Sequence, residues 1–185
     1  MQLLWFVSRA AGLVSLVMLT MTVLLGITSK LRATLPGLPR FVLAHLHRNL
    51  ALLTLVFLTV HVTTAVIDPF AGIRWIDTVV PFVSSYRTFW LGLGVIAVEL
   101  LLAIVVTSVL RSRMALRAWR LMHGAAYACW PVAVVHGFGM GGQDSRSPWV
   151  LVLTGACVAL VTGALVQRAR AGRAAEHDQI KAGWR

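Results

Sequence analysis

The chain has 185 residues, of which 58% are hydrophobic and only 12% charged, and its mean hydropathy of +0.81 excludes an ordinary soluble domain. Lysine and arginine outnumber the acids by 17 to 6, for a formal net charge of +11. Nucleic-acid binding is nonetheless excluded, because it needs basic residues on a soluble, groove-tracking surface, and here they stand between apolar runs.

Crossing a hydrocarbon core of roughly 30 Å takes about 20 apolar residues. Five runs meet this: Leu4 to Thr28, Phe41 to Ile67, Thr88 to Leu110, Ala118 to Phe138 and Trp149 to Gln167. The expected fold is all-α, an integral membrane bundle of about five transmembrane helices. Residues 1–168 would form the membrane domain and 169–185 a basic tail. The first run has no basic residue before it and no small-x-small cleavage site, so it is read as a retained helix and not a signal peptide. Cys129 and Cys157 lie inside apolar runs, with no C-x-x-C pair or zinc spacing, and are read as small core residues.

The connections alternate in charge. The first, SKLRATLPGLPR, is broken by paired Pro and Gly and carries Lys30, Arg32 and Arg40. The third carries Arg111, Arg113, Arg117 and Arg120, and the tail carries Arg168, Arg170, Arg173, Lys181 and Arg185. By contrast, the second balances Asp68 and Asp77 against Arg74 and Arg87, and the fourth balances Asp144 against Arg146. Under the positive-inside rule this places the N-terminus outside and the C-terminus in the cytoplasm, in a multi-pass protein of the plasma membrane. The second connection, residues 68–87, is too long for a plain turn and keeps Ile73, Trp75, Ile76, Val79, Val80 and Phe82, so it is expected along the outer membrane face.

Five of the six histidines fall on two of these helices: His45, His47 and His61 on the second, His123 and His136 on the fourth. Ionisable residues in a bilayer are costly and default to a functional role. His47 and His61 are 14 residues apart, which returns within about 40° of one helix face and separates them by roughly 21 Å along the axis. His45 would point nearly opposite His61 and is the poorer candidate. His123 and His136 are 13 apart, which leaves them about 140° apart on an ideal helix. Pro131 lies between them, and the bend or rewinding it imposes is expected to bring both rings to one side.

The second and fourth helices run in the same direction, so His47 would meet His123 near the cytoplasmic side and His61 would meet His136 near the outer side. Each level then presents two imidazoles. Haem iron has two axial positions and neutral imidazole nitrogen suits it. Two b-type haems, each held on both faces, would span much of the bilayer and pass electrons without binding oxygen at iron.

At these residues the chain resembles the ferric reductase-like transmembrane family, which includes NADPH oxidases, ferric reductases and the haem membrane subunit of a periplasmic methionine sulfoxide reductase system. The family pattern is a histidine pair 14 apart on one helix and a pair 13 apart on a later one, with one helix between. Here these are His47 with His61 and His123 with His136, within HLHRNLALLTLVFLTVH and LRAWRLMHGAAY; SYRTFWLGLG and RAAGLVSLV are also similar. The resemblance covers roughly residues 5 to 165. It implies transmembrane electron transfer to an extracytoplasmic acceptor: a ferric complex, oxygen, or a flavin or methionine sulfoxide reductase partner. Family members commonly have six helices where five are counted here. The flavin and nicotinamide domains of the full oxidases have no counterpart in this sequence, so the expected donor is a separate cytoplasmic flavoprotein reductase or a membrane quinol.

Haem propionates need cationic partners. Arg48, Arg117 and Arg120 are available at the cytoplasmic level, and Arg9, Arg74 and Arg87 at the outer level; Arg9 interrupts the first apolar run and otherwise snorkels to the headgroups. Glu99 is the only carboxylate deep in a predicted helix, placed to relay protons, to pair with an outer-side arginine, or to be hydrogen-bonded in protonated form within the bundle. GFGMGG, residues 137–142, matches the G-x-G-x-x-G string of dinucleotide sites, but that motif needs a strand before it and a helix after it, so a flexible loop is expected. Trp5, Trp75, Tyr86, Trp90 and Trp149 suit an aromatic belt, and His177 a solvated tail. Two other readings are open on these residues: a quinol-linked cytochrome b subunit anchoring a partner enzyme, and a haem-free scaffold whose histidines bind helices together.

Overall fold

The computed structural model describes residues 2–30 and 39–183, with side chains described for 3–29, 39 and 41–174. Arg32 and Arg185 lie outside the described residues, as do the side chains of Lys30, Arg40, His177 and Lys181. Six α-helices appear among the described residues, and no strand. They are α1 (Gln2–Lys30), α2 (Arg40–Ile67), α3 (Thr88–Val109), α4 (Leu116–Gly124), α5 (Ala126–Met140) and α6 (Pro148–Gly183).

Four of them, α1, α2, α3 and α6, are long and apolar enough to cross a membrane. Backbone polar groups in hydrocarbon must be satisfied within the segment, which a helix does. The hydroxyls embedded in these helices follow suit by bonding back to the carbonyl four residues earlier: Ser15 to Ala11, Thr20 to Leu16, Thr54 to Leu50, Ser108 to Ile104.

The fourth predicted span is two helices. Ala125 interrupts it, its N–H bonding to the carbonyl of Met122 at 3.0 Å in a tight i→i−3 turn. α4 carries the charged Arg117 and Arg120 whereas α5 is apolar, and the small Gly124 and Ala125 take the joint between them. The expected irregularity at Pro131 is thus corrected in position: Pro131 sits inside an unbroken α5. The fifth predicted span also runs further, α6 continuing as helix through the basic stretch to Gly183.

α1 packs most extensively against α2, and α3 against α5, with α1 also touching α5 and α6. The core lies where α1, α3, α5 and α6 meet, built from Leu19, Val23 and Ile27, Ala97, Leu101 and Ile104, Cys129 and Trp130, and Cys157 and Val161. Both cysteines are buried and free. The Trp130 indole N–H donates to Thr20 Oγ1 at 2.9 Å, so the one large polar-edged ring of this core is satisfied. Segment 68–87 turns Ile73 and Asp77 inward and leaves Phe70, Trp75, Ile76 and Val79 exposed, as a segment lying on a membrane surface would.

Candidate functional site

The structure brings the four histidines into two opposed pairs. His47 and His123 have ring centroids 6.1 Å apart, and His61 and His136 are 6.3 Å apart. Thirteen residues on one continuous helix would not do this. The break at Ala125 does, because His123 belongs to α4 and His136 to α5. His45 is exposed and in neither pair.

Three of the four rings are held the same way. His61 Nδ1 lies 2.7 Å from the carbonyl oxygen of Ser8, His47 Nδ1 3.0 Å from that of Thr22, and His136 Nδ1 2.7 Å from that of Trp90. A carbonyl only accepts, so each ring carries its proton on Nδ1 and keeps its lone pair on Nε2. Four residues after each accepting carbonyl stands a glycine: Gly12, Gly26 and Gly94. A Cβ at Gly12 would stand 2.9 Å from His61, and one at Gly94 would collide with His136, whereas one at Gly26 would make ordinary contact with His47 at 3.6 Å. Gly12 and Gly94 are thus the notches that admit His61 and His136 to the backbone.

His123 is held differently. Its Nδ1 is 3.4 Å from Ser108 Oγ, and its ring stacks on Trp119, with centroids 5.0 Å apart and planes 20° apart. The Arg111 guanidinium lies 4.6 Å over the other aromatic ring of this stack, Trp119. Trp119 Nε1 is buried with no hydrogen-bond partner among the described residues.

A cavity of about 580 Å³ opens at the His61–His136 level, within the size range of small-molecule and cofactor sites. Its walls are mostly apolar and include both histidines, Gly12 and Gly94, with Arg9 and Asp68 among its polar lining.

The arginines expected at this level have other partners. Arg9 Nη1 donates to the Gly141 carbonyl at 2.9 Å and to Asp144 Oδ2 at 2.7 Å, with its guanidinium 4.0 Å over Trp5. Arg87 Nη1 donates to the Gly139 carbonyl at 2.7 Å. Both therefore cap the carbonyl end of α5, where the helix leaves acceptors unsatisfied and the dipole favours cations. The 137–142 glycine string is that helix end: Gly139 gives room to the Trp90 ring, and no strand precedes it. Arg74 pairs with Asp77 at 2.8 Å. Arg48, Arg117 and Arg120 are exposed. Glu99 is exposed on the side of α3 away from its buried residues Ala97, Leu101 and Ile104.

Sequence reasoning on histidines alone misses Ser8, Gly12, Thr22, Gly26, Trp90, Gly94, Ser108 and Trp119. One signal for six of them is present. Gly12 and Gly26, Ser8 and Thr22, and Gly94 and Ser108 each repeat the 14-residue interval of His47 and His61.

Residues 11–134 match the family described as "Ferric reductase like transmembrane component". Comparison with curated proteins and with solved structures returns no match. The family match spans two thirds of the chain and takes in α1 from residue 11 on, α2 to α4 and the first part of α5, with three of the four paired histidines: this protein belongs to the ferric reductase-like transmembrane family.

Proposed function

We propose that this chain carries electrons across the plasma membrane through two b-type haems, one held by His47 and His123 and the other by His61 and His136. The observation that carries the reading is the separation of the rings. Two imidazoles bound to one metal at about 2 Å from each nitrogen put their centroids about 6 Å apart, and the pairs stand at 6.1 and 6.3 Å. Haem held on both faces by histidine supplies one-electron carriage and offers no open iron position to a ligand.

The chain's own residues do the rest. Backbone carbonyls of Ser8, Thr22 and Trp90 fix the Nδ1–H tautomer and aim Nε2 inward. The cavity walls at the His61 level are mostly apolar and suit a flat hydrophobic ring system. The buried Trp119 N–H beside His123 is a donor in want of an acceptor, as a propionate would be.

The basic connections at the His47 end favour that end as the cytoplasmic one, with the N-terminus outside and the C-terminus inside. Electrons then enter at the His47–His123 level from a cytoplasmic flavoprotein reductase or a membrane quinol, and leave at the His61–His136 level to an extracytoplasmic acceptor. Haem content by pyridine haemochrome, on wild type and on His47→Ala and His61→Ala, tests this. Two haems per chain falling to one in each variant is the expected result. A chain purified without haem after expression with ample haem sinks the reading.

A further inference from the structure

Glu99 stands at the midpoint of the 22-residue helix α3, roughly 15 Å from either end at 1.5 Å per residue, and so near the middle of the bilayer. It is the only ionisable residue of that helix. The structure turns it away from the interior. Gly94, Ala97 and Leu101, which line the cavity at the His61–His136 level, lie about 140–160° round the helix from it. Glu99 is exposed and has no hydrogen bond or ion pair among the described residues. On the same face stand Ile96 and Ala103, half-buried, and Val106, exposed. With Glu99 they recur at intervals of 3, 4 and 3 residues, the spacing of a helix–helix seam.

We infer that this face of α3 docks a second copy of the chain, the two Glu99 carboxyls hydrogen-bonding to each other across the seam. The pairing goes beyond the haem reading and does not depend on it. A carboxyl facing hydrocarbon alone is costly, and ionisable groups at this depth are found paired. Copies of one chain insert in one orientation, so a two-fold axis runs along the membrane normal and each seam residue meets its own counterpart at the same depth. A neutral carboxyl is both donor and acceptor, so two of them satisfy each other and no other residue type is needed. Pairing with a cation on a different subunit would instead require an ionised carboxylate in hydrocarbon, the costlier form. Ala103, one turn from Glu99, lets the backbones approach, and a single polar residue in an apolar seam fixes the register of the pair.

Two substitutions separate the hydrogen bond from the apolar contact. Glu99→Gln keeps a donor and an acceptor and should leave association close to that of wild type. Glu99→Leu removes both and keeps an apolar seam, so association should weaken roughly 3- to 30-fold, the worth of interhelical hydrogen bonds in membranes. Cysteines report the face itself. Val106→Cys places a thiol on the seam and should cross-link to its own counterpart, whereas Val152→Cys, on α6 at a position 71% exposed, should not. The native Cys129 and Cys157 are buried.

The experiment oxidises the two cysteine variants in the membranes of the expressing cell, where every copy is inserted the same way. Energy transfer between donor- and acceptor-labelled full chains in those membranes, over a range of expression levels, reads association of wild type and the two Glu99 variants. Association that Glu99→Leu weakens and Glu99→Gln keeps, with cross-linking of the Val106→Cys chain and not of the Val152→Cys chain, supports the inference. A monomer at every level overturns it, as does a dimer that Glu99→Leu leaves unchanged or that Glu99→Gln loses. The cysteine variants retain Glu99, so cross-linking of the Val152→Cys chain alone, or of neither, overturns it even where the Glu99 variants fail to fold.

Discussion

The His61 imidazole lies against the backbone of Gly12, with Nδ1 only 2.9 Å from where a Cβ would stand, while its N–H reaches the Ser8 carbonyl at 2.7 Å. A ring and a helix approach this closely only where a side chain is missing, so the glycines under the histidines can be ranked. Gly12→Ala and Gly94→Ala overpack and should each cost about 1–3 kcal/mol, whereas Gly26→Ala, facing His47 at 3.6 Å, should be nearly neutral. Thermal unfolding of the detergent-solubilised chain checks the order; equal effects at all three positions would contradict it.

Arg9 ties the start of α1 to the end of α5 through the Gly141 carbonyl and Asp144. The Asp144 side chain is 58% exposed, so the ion pair itself contributes about 1 kcal/mol or less. The carbonyl contact is independent of that charge. Asp144→Asn should therefore destabilise less than Arg9→Gln, and added salt should erase most of the first effect. Unfolding midpoints in low and high salt decide the matter.

Asp77 is buried in the 75–78 turn, where the Arg74 side chain and backbone N–H bond to its carboxylate. Those bonds hold its pKa below the ordinary 3.8. A depressed carboxylate stabilises the fold at pH values above the ordinary one, and that contribution is lost as pH falls through the lowered value. Segment 74–79 should thus stay protected from amide exchange at pH 5 and loosen below about pH 3.8. Asp77→Asn should be loosened already at pH 5, and equal protection in the two chains there would count against this role.

The Trp130 indole bonds to Thr20 Oγ1 within the core, and Thr20 is fully buried. Thr20→Val keeps the shape and removes the acceptor, leaving a buried donor unmet at a cost of about 1–3 kcal/mol. Thr20→Ser keeps the acceptor and should cost less. Equal losses would mean that packing, and not the bond, is what matters at this position.

Periodicity and hydropathy were enough to read α1, α2 and α3 to within a few residues, and to place His47 and His61 on one face, because those properties depend on residue order along a regular helix. The joint at Ala125 was not legible, since Gly124 and Ala125 break no propensity rule strongly and Pro131, the conspicuous candidate, is accommodated inside α5. The partners of Arg9 and Arg87 were not legible either. Which unsatisfied carbonyls a cation reaches depends on where α5 ends in space, and those residues are more than 50 positions away in the chain.

The amino-acid order by itself determined that this protein lives in a membrane as an all-helical bundle and that two of its segments carry histidines at two depths, because burial of apolar runs and helical repeat are local consequences of sequence. Only the tertiary structure decided that the rings face each other at 6.1 and 6.3 Å, that Gly12 and Gly94 open the backbone to His61 and His136, and that Ser108 stands beside His123. Those are distances between separate helices, set by how closely their surfaces pack.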